Sequence, residues 1–191
     1  FGITALGSYS SLPDGSGTSL FIFALVNAPI GGPGFFYVTG LALGFGYNRS
    51  LIIPTMNQIS TFPLVSGLVD PSQLGNSLDP TTVLKSFDKW VPVERGEYWL
   101  AAGIQFTTYE IINTNALLIV QFGKQFTLAL IGIAILKQLT VGETYVYAEL
   151  DIEVVFDPGV VEFMASATLA PNSYVLDPNA HLTGGFAFYA W

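Results

Sequence analysis

The sequence predicts a mostly β protein, an antiparallel meander that forms a twisted sheet or a sandwich of about nine strands with a small helical insertion. Apolar and polar residues alternate with a period of two between Gly-, Pro- and Asn-rich turns, which is the pattern of β-strands. Short turns between successive strands favour antiparallel pairing. Residues 51–95 instead hold several prolines and lose this alternation, so a helical or irregular insertion is predicted there.

The individual strands follow from these patterns. Residues 20–26 (LFIFALV) have no polar position, so we expect that strand to be covered on both faces. Gly40, Gly44 and Gly46 punctuate the third strand and indicate bulges or a close backbone approach. The nine predicted strands cover residues 2–10, 18–26, 35–47, 97–109, 113–123, 124–136, 144–156, 160–170 and 184–191.

The insertion contains two predicted helices. Asp79 followed by Pro80 is a typical helix start, with an N-cap and a proline in the first turn. Apolar side chains then recur at helical spacing, namely Val83, Leu84, Phe87 and Trp90. A shorter helix is predicted at residues 63–69. We expect the insertion to cap one end or edge of the sheet, because uncovered strand edges promote aggregation.

The hairpin at residues 145–169 has the clearest alternation in the chain. Glu149, Asp151 and Glu153 share one strand face, opposite a wholly apolar one. We predict that these carboxylates are solvent-facing or interfacial and carry no chemistry, because successive carboxylates on one strand face lie about 7 Å apart and do not converge. The alternatives are acid–base or glycosidic chemistry and Ca²⁺ binding.

Composition limits the class of protein. The length of 191 residues suits a single β-rich domain, or a segment of a larger one. Only 10% of the residues are charged and 51% are hydrophobic, so too few charges exist to coat an ordinary surface. We therefore expect the surface to be covered by more of the same polypeptide, by identical subunits or by lipid. Because the sequence starts with Phe1, we interpret it as a processed product or an excerpt.

Several functional classes are disfavoured. The net charge is −8 with six Lys and Arg in total, so no basic patch for nucleic acid is expected. No uncharged stretch reads as a transmembrane helix. No cysteine is present, and we interpret the single histidine, His181, as a hydrogen-bonding loop residue, with catalysis or metal binding as the alternative. We predict no catalytic residue, metal site or cofactor. The sequence does not fix where in or outside the cell the protein is located, and it slightly favours the extracellular space or the cell surface.

Aromatic side chains are the candidates for an apolar ligand site or interface, since they make up 14% of the chain. Core packing is the ordinary role of such residues, and an aromatic-lined apolar surface is the alternative. The residues that we single out are Phe21, Phe23, Phe35, Tyr37, Phe45, Trp99, Phe186, Phe188 and Trp191.

Four blocks of sequence resemble a known family. They are GGPGFFYVTGLALGFGYNRSLIIP (31–54), FPLVSGL (62–68), EYWLAAGIQFTTYEI (97–111) and LAPNSYVLDPNAHLTGGFAFYAW (169–191). These blocks are similar to the family catalogued as domain of unknown function 6603, and GFGYNR and HLTGGFAFY are the most specific. The resemblance implies an internal piece of a longer domain of very large bacterial and fungal proteins. It implies no activity and no catalytic residues.

Three functional hypotheses follow. The first is a non-catalytic structural or assembly module, whose apolar strands stack on neighbouring segments or copies to form an extended β-scaffold, a homo-oligomer or a filament. The second is a carrier or conduit for lipid or another apolar ligand. The third is a hydrolase that acts on an extracellular polymer through the face of Glu149, Asp151 and Glu153. Lipid bound to the purified protein would favour the carrier over the assembly module. Carboxylates that converge in a cleft would favour the hydrolase.

Overall fold

The computed structural model describes residues 1–70, 80–140, 143–159 and 162–191. Ten strands form one open sheet in the order β1-β2-β3-β4-β5-β6-β7-β8-β10, and β9 pairs with β7 beside this path. All strand pairs are antiparallel. The predicted mostly β, antiparallel fold is therefore confirmed, and of the two predicted forms the chain adopts the open sheet.

The nine predicted strands all occur, although several are longer than predicted. The tenth, β9, has two residues within the Asn- and Pro-rich connection after β8, where alternation cannot be detected over so short a span. Positions 160 and 161 of the eighth predicted strand lie outside the described residues. The strands are β1 Gly2–Ser11, β2 Thr18–Gly31, β3 Phe36–Arg49, β4 Val93–Thr108, β5 Ile112–Phe122, β6 Thr127–Thr140, β7 Glu143–Asp157, β8 Glu162–Leu169, β9 Tyr174–Val175 and β10 Gly185–Ala190.

Between β3 and β4 the chain forms short helices. A 3₁₀ helix spans Met56–Thr61, α1 spans Pro63–Val69 and α2 spans Pro80–Asp88. Both predicted helices are thus confirmed, whereas the 3₁₀ helix was missed. The proposed cap Asp79 lies outside the described residues. No helix in the described part of the chain is long and apolar enough to cross a membrane.

The helical segment covers one face of the sheet, which we call the inner face; the opposite face is the outer face. Phe62, Leu64, Leu68 and Phe87 of the segment are fully or almost fully buried in one core with the inner side chains of the strands. The expectation that the insertion caps an end or edge was wrong. The inner side chains that it covers are Phe21, Phe23, Leu25, Trp99, Ala101, Leu117, Ile119, Ala129, Ile131 and Ile133.

Trp99 shows why the third strand is rich in glycine. Its indole ring lies across β3 and is fully buried. A Cβ on Gly44 would lie 2.7 Å from Trp99 Cζ3, and a Cβ on Gly46 would overlap the indole more severely. The close backbone approach predicted from these glycines is therefore confirmed, because the ring takes the space that side chains would occupy.

Arg49 ties the end of the helical segment to the first three strands. It is 5% exposed. Its Nε donates to Ser19 Oγ at 2.8 Å, Nη1 donates to the Val91 carbonyl at 2.9 Å, and Nη2 lies 3.3 Å from both Ser8 Oγ and Ser10 Oγ. Burial lowers the pKa of this guanidinium. These hydrogen bonds provide the compensation that a buried polar group needs.

Candidate functional site

The outer face is apolar over the whole breadth of the sheet. Strand registers place its side chains in three cross-strand rows, each with one residue from β1 to β8 and from β10, and no member is polar or charged. The rows are Gly7, Ile22, Phe45, Leu100, Val120, Leu128, Phe156, Phe163 and Ala190; Ala5, Ala24, Leu43, Ala102, Leu118, Leu130, Val154, Ala165 and Phe188; and Ile3, Val26, Leu41, Ile104, Ala116, Gly132, Ile152, Ala167 and Phe186.

No described segment covers this face. Leu43 is 68% exposed and Leu100 is 49% exposed, although both lie on central strands. With strands about 4.8 Å apart and same-face residues about 6.8 Å apart, the rows span about 40 Å by 20 Å, on the order of 800 Å². That exceeds the few hundred Å² that is usual for the largest apolar patch of a soluble monomer.

A groove runs along the centre of the outer face. Small residues of β2, β3 and β4 form its floor, and larger aliphatic side chains form its walls. Its volume is about 520 Å³. The lining residues are Ile22, Ala24, Leu43, Gly44, Phe45, Leu100, Ala101, Ala102, Leu118 and Val120.

Aromatic rings border the apolar rows at both strand ends. At one end Tyr98 lies between Tyr47 and Phe122, with ring centroids 5.4 and 5.7 Å apart. At the other end Phe36 contacts Phe106 at 4.6 Å. Such rings provide an apolar body, and tyrosine adds a polar tip that suits the boundary between an apolar surface and water.

The nine aromatic candidates divide between four locations. Phe21, Phe23 and Trp99 belong to the inner core beneath the helical segment. Phe45, Phe186 and Phe188 lie in the outer rows, whereas Phe35 and Tyr37 line a separate pocket of about 390 Å³ at the loop before β3. Trp191 is 88% exposed after β10.

Sequence reasoning missed the aliphatic part of the outer surface, including Ile22, Leu43, Leu100 and Leu118. A usable signal was present, since a strand without polar residues must direct every second apolar side chain away from the covered face.

Of the two predicted settings for the acidic hairpin face, the solvent-facing one was wrong. Glu149, Asp151 and Glu153 are 8%, 8% and 6% exposed and lie on the inner face. The register of β7 determines this, because these three residues pair with inner-face isoleucines of β6, namely Ile135, Ile133 and Ile131. The apolar side of the hairpin therefore joins the outer face.

Few hydrogen bonds among the described residues offset the cost of burying these three carboxylates. Tyr147 Oη donates to Glu149 Oε2 at 2.6 Å. Asp151 Oδ1 is buried without a hydrogen-bond partner. Burial, and secondarily the charge of Glu149, raises the pKa of Asp151 to about 6, and burial raises the pKa of Glu153 as well. Burial, followed by the bond to Glu149, raises the pKa of Tyr147 to about 12.

Two pockets meet at Glu149 and Ser60, and we call their union the acidic cleft. Their volumes are about 590 and 460 Å³. The cleft separates the 3₁₀ helix and α1 from β6, β7 and the chain after β8. Its lining residues are Met56, Asn57, Ser60, Thr61, Ser66, Val69, Asp70, Ile133, Ile135, Tyr147, Glu149, Asp151, Thr168, Leu169, Ala170, Pro171 and Asn172.

The remaining chemical candidates do not converge. Across residues 1–70, 80–140, 143–159 and 162–191, no group of three or more His, Asp or Glu residues is arranged to hold a metal ion. His181 is exposed and forms an isolated backbone bridge with Tyr174. The carboxylates of β7 follow one strand in a row, and a glycosidase instead needs two that face each other across a bond.

Comparison with known proteins identifies a family and nothing narrower. The model of a family of unknown function, DUF6603, matches residues 1–191, the whole chain. The resemblance seen in the sequence blocks is thereby confirmed. No curated protein and no solved structure matches the chain.

Proposed function

Because the chain belongs to DUF6603, a family of unknown function, we propose its role from its own geometry: it is a non-catalytic β-module whose outer face is covered by the outer face of a second copy. The observation that carries this proposal is the three-row surface without a polar side chain. The expected product is a two-layer sandwich, and repetition of such contacts would give an extended β-scaffold.

The size of the apolar face suits this role. A standard interface buries about 800 Å² on each partner, which is the order of the area spanned by the three rows. A two-fold contact uses the same patch on both copies, so one surface suffices. Packed sheets lie about 10 Å apart with interdigitating side chains, and the central groove can receive large residues such as Leu43 from the facing sheet.

Charge supports the same proposal. The rows contain no charged group, so their burial leaves no unpaired charge behind. Two ion pairs occur within the described residues, Arg95–Asp14 and Lys124–Glu94. Their side chains are substantially exposed.

Light scattering coupled to size exclusion tests the proposal across a range of protein concentrations. We expect the unmodified chain to be dimeric or larger in plain buffer. Leu43→Lys should shift it towards monomer, because each interface would then bury two unpaired charges. The matched control is Ile52→Lys, since Ile52 is also exposed but lies in the helical segment. A monodisperse monomer at every concentration would contradict the proposal.

Carriage of an apolar ligand is the second candidate, favoured by the groove of about 520 Å³ with its wholly hydrocarbon lining. Organic extraction of the purified chain followed by mass spectrometry tests it. Stoichiometric lipid on a monomer would replace the self-association proposal, whereas a lipid-free dimer would eliminate carriage.

A further inference from the structure

The acidic cleft carries an inference that is independent of the outer face. Two carboxylates of β7, Glu149 and Asp151, line the cleft and are more than nine-tenths buried, and the one hydrogen bond described for their side-chain oxygens comes from Tyr147. An ionised buried carboxylate is costly unless a partner compensates for it. The described residues place no Lys or Arg within ion-pair distance of this row.

Asp151 indicates where a partner is lacking. Its Oδ1 is shielded from water and has no donor, although the residue lines an open cavity of about 590 Å³. Neighbouring Asn57, Ser60 and Thr168 offer neutral hydrogen-bonding groups in the same cavity. A ligand that enters here would meet acceptors with negative charge on one wall and neutral polar groups around them.

The spacing of the row selects among cations. Alternate residues on a strand lie about 6.8 Å apart, whereas Ca²⁺ holds its oxygen ligands at about 2.3–2.6 Å. One metal ion therefore suits this row poorly. A linear diamine with four methylenes has five bonds between its two nitrogens. Each bond advances the extended chain by about 1.2 Å along its axis, so the nitrogens lie about 6 Å apart. Each ammonium can then meet a different carboxylate.

We propose that the acidic cleft is a binding site for a linear aliphatic diamine or polyamine, with adjacent ammonium groups on Glu149 and Asp151. The methylenes pack against apolar side chains of the cleft wall, which include Met56, Ile133 and Ile135. Charged ends paired with carboxylates and a hydrocarbon stem on apolar surface are how long cationic chains are usually accommodated.

Titration calorimetry of the full chain with 1,4-diaminobutane at pH 7.5 and constant ionic strength tests the proposal. We expect saturable binding, and binding at least about tenfold weaker for 1,2-diaminoethane and for butylamine, because each loses one charge-assisted contact. Saturation by butylamine at equal affinity, or absence of binding, would overturn the proposal. CaCl₂ that binds the cleft more tightly than the diamine would overturn it in favour of a metal site.

Variants locate the site. Asp151→Asn and Glu149→Gln should each weaken diamine binding about tenfold or more. Both keep the shape of the side chain, and circular dichroism checks that each variant is folded. The matched control Glu110→Gln removes a charge from the exposed turn between β4 and β5 and should leave the affinity unchanged. An equal loss in all three variants would mean that only net charge attracts the diamine, which would refute a defined site.

Discussion

The two faces of the sheet are built from the same strands but differ in what they bury. The inner face, beneath the helical segment, contains the largest buried ring, the two glycines against which that ring packs, and the buried carboxylates Glu149, Asp151 and Glu153. The outer face has neither charge nor cover. In an ordinary half-buried sheet the polar residues face water and the apolar residues face the core. Here the uncovered face is the more uniformly apolar of the two, and this difference is the basis of the proposal that it is an interface.

The largest expected effect comes from a pair of neighbours on β4. Trp99 is fully buried on the inner face, and Leu100 is about half exposed on the outer face. Trp99→Ala should lower the free energy of unfolding by about 3–5 kcal/mol, because it leaves a large cavity beneath the helical segment. Chemical denaturation measures this change.

Leu100→Ala is the matched control for that measurement. Its cost should be about 1 kcal/mol or less when measured on the monomer, since its side chain is only partly buried. Equal losses for the two variants would show that the outer face is packed as tightly as the inner one.

The attachment of α2 gives the next largest effect. Val83 and Phe87 are buried and Leu84 packs against the same core, as predicted from the sequence. Leu84→Asp should destabilise the chain by about 2–4 kcal/mol, because it places an unpaired carboxylate against apolar side chains. Its neighbour Lys85 is exposed, so Lys85→Asp should change the melting temperature far less. An unchanged melting temperature for Leu84→Asp would show that this side of α2 is not packed.

The carboxylates of the inner face should make stability depend on pH. The pKa of Asp151 is raised from 3.8 to about 6, so the folded chain binds this proton more tightly than the unfolded chain. The contribution of Asp151 to the free energy of unfolding is therefore greatest below pH 4. It falls by about 1–3 kcal/mol as the pH rises towards 6. The raised pKa of Glu153 acts in the same direction.

Asp151→Asn sharpens this prediction. Between pH 4 and pH 7 the free energy of unfolding of this variant should fall less than that of the unmodified chain. At pH 7 the variant should be at least as stable as the unmodified chain. Denaturation curves at several pH values measure both quantities. A variant that is less stable at pH 7 and keeps the full decline would show that Asp151 has a compensating partner.

The smallest effect on stability is expected on the outer face. Leu118→Thr, a change on the central strand β5, should alter the unfolding free energy of the monomer by less than about 1 kcal/mol, because the side chain is 42% exposed. The same change should weaken self-association measurably in light scattering. If it lowers stability strongly and leaves the oligomeric state unchanged, the outer face is not the interface.

Local sequence was sufficient for most of the elements. Alternation and turn residues predicted nine strands and their antiparallel order, and the Pro80 start and the spacing of Val83 and Phe87 predicted α2. The missed elements are short. The 3₁₀ helix at Met56–Thr61 covers about two turns, and β9 has two residues, so both are too short to show a period.

The candidate surfaces were predicted less well. Aromatic residues were a poor guide, because Phe21, Phe23 and Trp99 fill the inner core and aliphatic side chains form most of the outer groove. A strand that is apolar at every position gives no indication of which half of its side chains the chain itself will cover.

By itself the sequence determined that Glu149, Asp151 and Glu153 share a face and that the strands around them are apolar, because these properties depend only on the period of two within a strand. Tertiary structure decided what lies over each face. The pairing of β7 with Ile131, Ile133 and Ile135 carried the carboxylates to the inner face, and the helical segment packed on that face and left the opposite one open. Strand periodicity specifies which residues lie together, and only long-range pairing and packing specify what they lie against.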